Sequence, residues 1–145
     1  MNLHLHLQIS GALLLTLGVA HCFFGRYFGW NQEITRLSLF TRQVFVIHCF
    51  FIALLLALLG VASLFYADAL LDGSPLSRVV LAGLLVFWGC RLLVQWFGYD
   101  PAIWRGRRFY TVMHMAFSAF WIYIVAIYGT ALWRATAPVW VASRG

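Results

Sequence analysis

The stretch Val79–Phe97, VVLAGLLVFWGCRLLVQWF, decides the fold, because this mostly apolar run of nineteen residues contains a single arginine. About 20 consecutive apolar residues are enough for a helix to cross the hydrocarbon core of a bilayer. An arginine at the centre of such a helix costs about 2.5–3.5 kcal/mol on insertion scales unless it finds a partner or water. The stretch therefore predicts a transmembrane helix, and Arg91 marks the place in it where a functional site is expected.

The composition excludes an ordinary soluble domain. Of 145 residues, 63% are hydrophobic, 18% are aromatic and only 10% are charged, whereas soluble domains carry about 25% charged residues. The ten cationic residues are all arginines, and the formal net charge is +6. Because the arginines lie mainly in short loops between apolar segments, we expect them to meet anionic lipid headgroups and not nucleic acid. The lipid bilayer is the first predicted partner.

Four apolar segments predict an all-α integral membrane protein. They lie at about 7–27, 44–66, 75–97 and 109–133, and a segment of mixed polarity at about 30–41 predicts a helix lying in the interface. The connections are short, so consecutive helices are expected to run antiparallel. The predicted architecture is one transmembrane domain, residues 1–145, folded as an antiparallel four-helix bundle and ending in a short tail at 135–145.

The connection between the second and third segments carries a clear turn signal. The sequence Asp72-Gly73-Ser74-Pro75 combines four residues that favour turns. Ser74 suits the N-cap of a helix, and Pro75 suits its first helical position. The third helix is therefore expected to begin at this point.

The distribution of arginines predicts the orientation in the membrane. Loops 26–43 and 98–108 contain six arginines, whereas the opposite side contains only Arg78, Arg134 and Arg144. Because cytoplasmic loops are enriched in Lys and Arg, both loops are expected in the cytoplasm and both chain termini outside. We expect this membrane to be a bacterial inner membrane.

Polar residues within the apolar segments collect at one predicted depth. In an antiparallel bundle, the ends of the first and third helices meet the starts of the second and fourth helices at the same membrane face. Helical spacing adds two tryptophans to the polar residues found there. The predicted site residues are His21, His48, Trp88, Arg91, Gln95, His114 and Trp121. Ser118 lies on the same helical stripe as His114 and Trp121.

Three interpretations of this site stay open. In the first, the histidines, with His48 and His114 foremost, ligate heme b or a metal, and Arg91 pairs with a propionate or another anion. In the second, the bundle binds a quinone or a lipid, whose polar atoms meet the histidines, Gln95 and Arg91. In the third, these groups satisfy one another or contact a partner subunit. Arg91 has no evident carboxylate partner in the sequence, which favours an anionic ligand or a partner chain.

Metal and hydrolytic chemistry have weaker support. The sequence contains no HxxxH, HxxH or ExxH spacing that would place two ligands on one face of a helix. No serine has an evident base and orienting group nearby. We leave open whether the protein is an enzyme.

The sequence leads to one main functional expectation and one alternative. We expect a small integral membrane subunit of a larger membrane complex, or of a homo-oligomer, with a polar His/Arg site in the cytoplasmic half of the bundle. The alternative is a membrane redox protein that binds heme b or a quinone through His48, His114 and Arg91.

Overall fold

The structure, a computed structural model, describes residues 2–137, and helix is the only regular secondary structure within that range. The predicted all-α fold class is thereby confirmed. Six α-helices follow one another along the chain: α1 Leu3–Tyr27, α2 Trp30–Ile34, α3 Leu39–Phe65, α4 Ala67–Leu71, α5 Pro75–Phe97 and α6 Arg108–Thr136. A short 3₁₀ helix, Pro101–Ile103, lies in the loop between α5 and α6.

Four of these helices, α1, α3, α5 and α6, are long and apolar enough to cross a membrane. This number was expected from the apolar segments and is confirmed. Helix α3 begins at Leu39, before the predicted position 44, because Ser38 caps it: the Ser38 hydroxyl accepts a hydrogen bond from the Thr41 backbone N–H at 3.2 Å. Helix α6 reaches Thr136, and the rest of the predicted tail, residues 138–145, lies outside the described residues.

The described chain divides into two compact units. The α1–α3 unit comprises residues 5–67, and the α5–α6 unit comprises residues 68–137 together with residues 2–4. The prediction that the whole chain forms one antiparallel four-helix bundle stays a prediction.

Glycines bring α1 and α3 into backbone contact in the α1–α3 unit. A Cβ atom added at Gly11 would lie 2.5 Å from the Leu64 nitrogen and 2.7 Å from the Gly60 oxygen. One added at Gly18 would lie 3.3 Å from the Ala53 oxygen. From Gly11 to Gly18 the contact on α3 moves from Leu64 back to Ala53. The two helices therefore run antiparallel. Small residues that allow such close approach are typical of helix pairs in membranes.

The α5–α6 unit is an antiparallel helical hairpin that opens with the predicted turn. The Ser74 hydroxyl accepts a hydrogen bond from the Ser77 backbone N–H at 3.1 Å, and Pro75 is the first residue of α5. Gly73 takes the positive φ of 70° that the turn requires. The helices then pack through fully buried side chains, including Leu81, Ile124 and Tyr128. This packing positions the polar residues that follow along α5.

Candidate functional site

The loop end of the α5–α6 hairpin holds a polar pair. The Gln95 side-chain amide lies 3.0 Å from His114 Nδ1 and is hydrogen-bonded to it. Gln95 is only 4% exposed, so this bond replaces the water that the amide loses on folding. The Trp104 ring stacks on the imidazole, with centroids 4.1 Å apart and planes 9° apart. Thr111 holds Trp104 in place by donating a 2.7 Å hydrogen bond to its carbonyl oxygen.

Two tryptophans meet deeper in the same hairpin. The rings of Trp88 and Trp121 stack with centroids 5.1 Å apart and planes 16° apart, and the residues are 2% and 3% exposed. Both indole nitrogens are buried, and neither has a hydrogen-bond partner among residues 2–137. An indole N–H can only donate. Each ring therefore brings an unused donor into the interior.

Arg91 and Ser118 lie between these two contacts. The Gln95–His114 and Trp88–Trp121 contacts are seven residues apart along each helix, so the register between α5 and α6 is constant over two turns. Arg91 is four residues from Gln95, and Ser118 is four residues from His114, which puts them at the same level. Arg91 Cζ lies 4.9 Å from the Trp121 ring centroid. Arg91 Nη1 and Ser118 Oγ are buried, and neither has a partner in the part of the chain that the structure describes.

Four buried polar atoms on α5 and α6 have no partner among the described residues, and Trp88, Arg91 and Trp121, which carry three of them, are in direct contact. They are the donor-cluster atoms: Trp88 Nε1, Arg91 Nη1, Ser118 Oγ and Trp121 Nε1. Leaving a buried donor unsatisfied costs about 1–3 kcal/mol, and more where the group is charged. Three of the four can only donate, and one belongs to a cation. The cluster is therefore suited to oxygen acceptors, such as the carbonyl, carboxylate or phosphate oxygens of a ligand or partner.

The third interpretation from sequence, self-satisfaction, accounts for only part of this site. Gln95 and His114 satisfy each other. Arg91 lies over the Trp121 ring, but this cation–π contact leaves its buried Nη1 without a hydrogen-bond partner among the described residues. The donor-cluster atoms, in the deeper half of the site, have no hydrogen-bond acceptor among the described residues.

His21 and His48 belong to the α1–α3 unit. His48 Nδ1 lies 2.8 Å from the Val44 carbonyl oxygen, and His21 Nδ1 lies 3.3 Å from the Leu17 carbonyl oxygen. Because a carbonyl only accepts, each Nδ1 carries the hydrogen, and Nε2 of the neutral ring keeps its lone pair. Their convergence with Arg91 and His114 stays a prediction.

Two residues of the hairpin site were not among the predicted site residues. Ser118 lies on the same face of α6 as His114, four residues further along. This spacing could have placed it among the predicted site residues. Trp104 comes from the loop, where Asp100 accepts a 2.8 Å hydrogen bond from the Ala102 backbone N–H and starts the 3₁₀ turn. The Asp100-Pro101 pair indicates a turn in the sequence, but not where the turn directs the indole.

Metal ligands do not cluster in the described residues: no three His, Cys, Asp or Glu side chains within residues 2–137 are placed to hold an ion together.

No protein family, curated protein or solved structure matches the sequence. Function is therefore inferred from the arrangement of the side chains themselves.

Proposed function

We propose that the protein is an integral membrane protein whose α5–α6 hairpin binds the acceptor-bearing headgroup of an amphipathic membrane ligand. The observation that carries the proposal is the donor cluster, which combines one guanidinium nitrogen, two indole N–H groups and a hydroxyl, all buried and unpartnered among the described residues.

The outward apolar surface of α3 supports the placement in a bilayer. Phe50, Phe51 and Leu58 are 61%, 59% and 59% exposed, and their neighbours along α3 are similarly apolar. Soluble monomers rarely expose contiguous apolar patches larger than a few hundred Å². Surrounding lipid removes that cost, because its tails are as apolar as the side chains that face them.

A quinone is the ligand class that fits the donor cluster best. Its carbonyl oxygens accept hydrogen bonds, and acceptors are what the donor-cluster atoms lack among the described residues. Arg91 offers a charge-assisted donor, which forms the stronger kind of hydrogen bond, and Ser118 at the same level offers a neutral one. A lipid tail on such a ligand would remain in the apolar phase around the hairpin.

The donor cluster also supports the accessory-subunit hypothesis that was made from the sequence. Oxygen acceptors from a partner subunit, or from a second copy of the chain, would meet these donors as well as a ligand would. The two cases differ in what copurifies: a stoichiometric protein in one, and a small molecule that can be extracted in the other.

Heme b finds less support in the α5–α6 unit. As the structure places the amide, Gln95 Nε2 donates to His114 Nδ1, so neutral His114 carries its proton on Nε2. Neither nitrogen then offers a lone pair to iron. The residues of this unit do not fit an iron ligand as they stand, and a purified protein with no Soret band would be expected.

The test is titration of the purified protein in lipid nanodiscs with a short-tailed benzoquinone, read by quenching of tryptophan fluorescence. We expect saturable quenching in the wild type and about tenfold weaker binding in Arg91→Met, which corresponds to the loss of one charge-assisted hydrogen bond. Arg105→Met is the matched control, because Arg105 is exposed in the loop, and it should bind as the wild type does.

Quenching that never saturates, or that falls equally in Arg91→Met and Arg105→Met, would rule out a quinone site at the donor cluster. A protein of fixed stoichiometry that dissociates from Arg91→Met, but not from Arg105→Met, would instead support the accessory-subunit hypothesis. Circular dichroism of each variant separates lost binding from lost folding.

A further inference from the structure

The α1–α3 unit contains a groove that is separate from the donor cluster. Its volume is about 540 Å³, and it lies where the end of α2 meets the first turns of α3. The lining residues come from both helices and from the connection between them: Ile34, Thr35, Arg42, Gln43, Val46 and Ile47. The space would admit the headgroup of one lipid and the first carbons of its chains.

The groove is polar at one end and apolar at the other. Arg42 and Gln43 are the fourth and fifth residues of α3, and Val46 and Ile47 lie four residues further along the same faces. The apolar pair is 55% and 52% exposed, so the protein leaves about half of each residue uncovered. A positive charge followed by uncovered hydrocarbon matches the order of groups in a phospholipid.

At the polar end of the groove, the Arg42 and Gln43 side chains have no polar partner among the described residues. Within residues 2–137, the Arg42 guanidinium and the Gln43 amide make no side-chain hydrogen bond or ion pair. Thr35, in contrast, is satisfied, because its hydroxyl donates a 2.8 Å hydrogen bond to the Gln32 carbonyl. Glu33 lies on α2 but does not line the groove. The free donors at this end are therefore cationic and amide N–H groups.

We propose that this groove binds one anionic phospholipid, with the phosphate on Arg42 and Gln43 and the upper chain carbons along Val46 and Ile47. The inference rests on the bilayer placement in the proposed function, but not on the donor cluster or its ligand. An anionic lipid is favoured over a zwitterionic one because the cationic group of a choline headgroup would be repelled by Arg42. It is favoured over free phosphate because the apolar end would then stay uncovered.

Native mass spectrometry of protein released from vesicles of equal phosphatidylglycerol and phosphatidylcholine tests the proposal. We expect one retained phosphatidylglycerol per chain in the wild type and about tenfold less retention in Arg42→Gln. Arg36→Gln is the matched control, because it removes the same charge from the same segment outside the groove, and it should retain the lipid.

A second pair of variants tests the apolar end. Val46→Trp fills the groove and should abolish retention, whereas Val19→Trp, at a 61% exposed position on α1, should leave it unchanged. Equal loss in Arg36→Gln and Arg42→Gln would overturn the proposal, because it would indicate diffuse attraction to a basic loop. Displacement of the lipid by millimolar glycerol phosphate would also overturn it, because the headgroup alone would then suffice.

Failure of this proposal can be distinguished from failure of the proposed function. Quinone quenching depends on Arg91 and should be the same in wild type and Arg42→Gln. If the bilayer placement itself were wrong, the wild-type protein would stay in the aqueous phase after carbonate extraction of membranes, before any lipid is counted.

Discussion

Trp88 and Trp121 stack face to face in the α5–α6 hairpin, with ring centroids 5.1 Å apart, and neither indole nitrogen has an acceptor among residues 2–137. The two facts are compatible because the donor sits at the edge of an indole, whereas stacking uses its face. The stack therefore fixes the positions of two donors without using their hydrogen-bonding capacity. A ligand that binds there does not need to order these side chains, which lowers the entropic cost of binding.

Ser118→Ala tests whether the donor cluster is maintained for a ligand. Removing a buried hydroxyl that has no partner should raise the unfolding free energy of the ligand-free protein by up to about 1 kcal/mol. Quinone affinity should fall about two- to tenfold, since one neutral hydrogen bond is lost. The measurements are unfolding in mixed detergent and the quenching titration.

Ser10→Ala is the matched control for that experiment. Ser10 is also buried within a helix, but its hydroxyl donates a 2.8 Å hydrogen bond to the His6 carbonyl. Its replacement should not stabilise the protein and should not change quinone affinity. If Ser118→Ala destabilised the protein as much as or more than Ser10→Ala, the Ser118 hydroxyl would have a partner within the folded chain.

Gln95→Leu should destabilise the hairpin. The change leaves His114 Nδ1 without its buried partner, at a cost of about 1–3 kcal/mol. In the double variant Gln95→Leu/His114→Leu no polar group is stranded, so the two effects should not add. A double-mutant cycle in unfolding free energy should give a coupling of about 0.5–1.5 kcal/mol. Additive effects would show that the pair contributes nothing as a pair.

Much of the α5–α6 hairpin can be predicted from local sequence. The bounds of α5, Pro75–Phe97, follow from a capping serine and a proline at one end and from the Gly98 boundary at the other. The common face of Trp88, Arg91 and Gln95 follows from helical spacing alone. Such features depend on residues within a few turns of one another, so one sequence contains the information they need.

The features that could not be predicted depend on contacts between distant residues. The stacking of Trp104 on His114 requires the loop to fold back, which it does through a 3₁₀ turn and the positive φ of 77° at Gly106. Similarly, the absence of an acceptor for Arg91 among the described residues depends on every neighbour in the folded chain. Spacing predicts which face a residue occupies, but not what lies opposite.

Gly11→Ala should weaken the pairing of α1 with α3. The new Cβ would lie 2.5 Å from the Leu64 nitrogen, and since that atom is backbone, the helices must separate. Overpacking of this kind costs about 1–3 kcal/mol. Gly83→Ala is the matched control: nothing lies within 4 Å of its Cβ position on α5, and it should stabilise the protein by about 0.5–1 kcal/mol. Equal effects of the two changes on unfolding would mean that α1 and α3 do not touch at Gly11.

Asp72 should make the start of α5 sensitive to acid. Its carboxylate accepts a 2.8 Å hydrogen bond from the Ser74 backbone N–H, and this bond, together with the nearby Ser74 and Ser77 side chains, lowers the pKa of Asp72. A carboxyl group with a lowered pKa stabilises the fold fully above its ordinary pKa of about 4, and the contribution is lost as the pH falls through the folded value. Melting temperatures of wild type and Asp72→Asn should therefore differ most at neutral pH and converge in acid. A difference that stays constant from neutral pH to about pH 2 would mean that ionised Asp72 does not hold this turn.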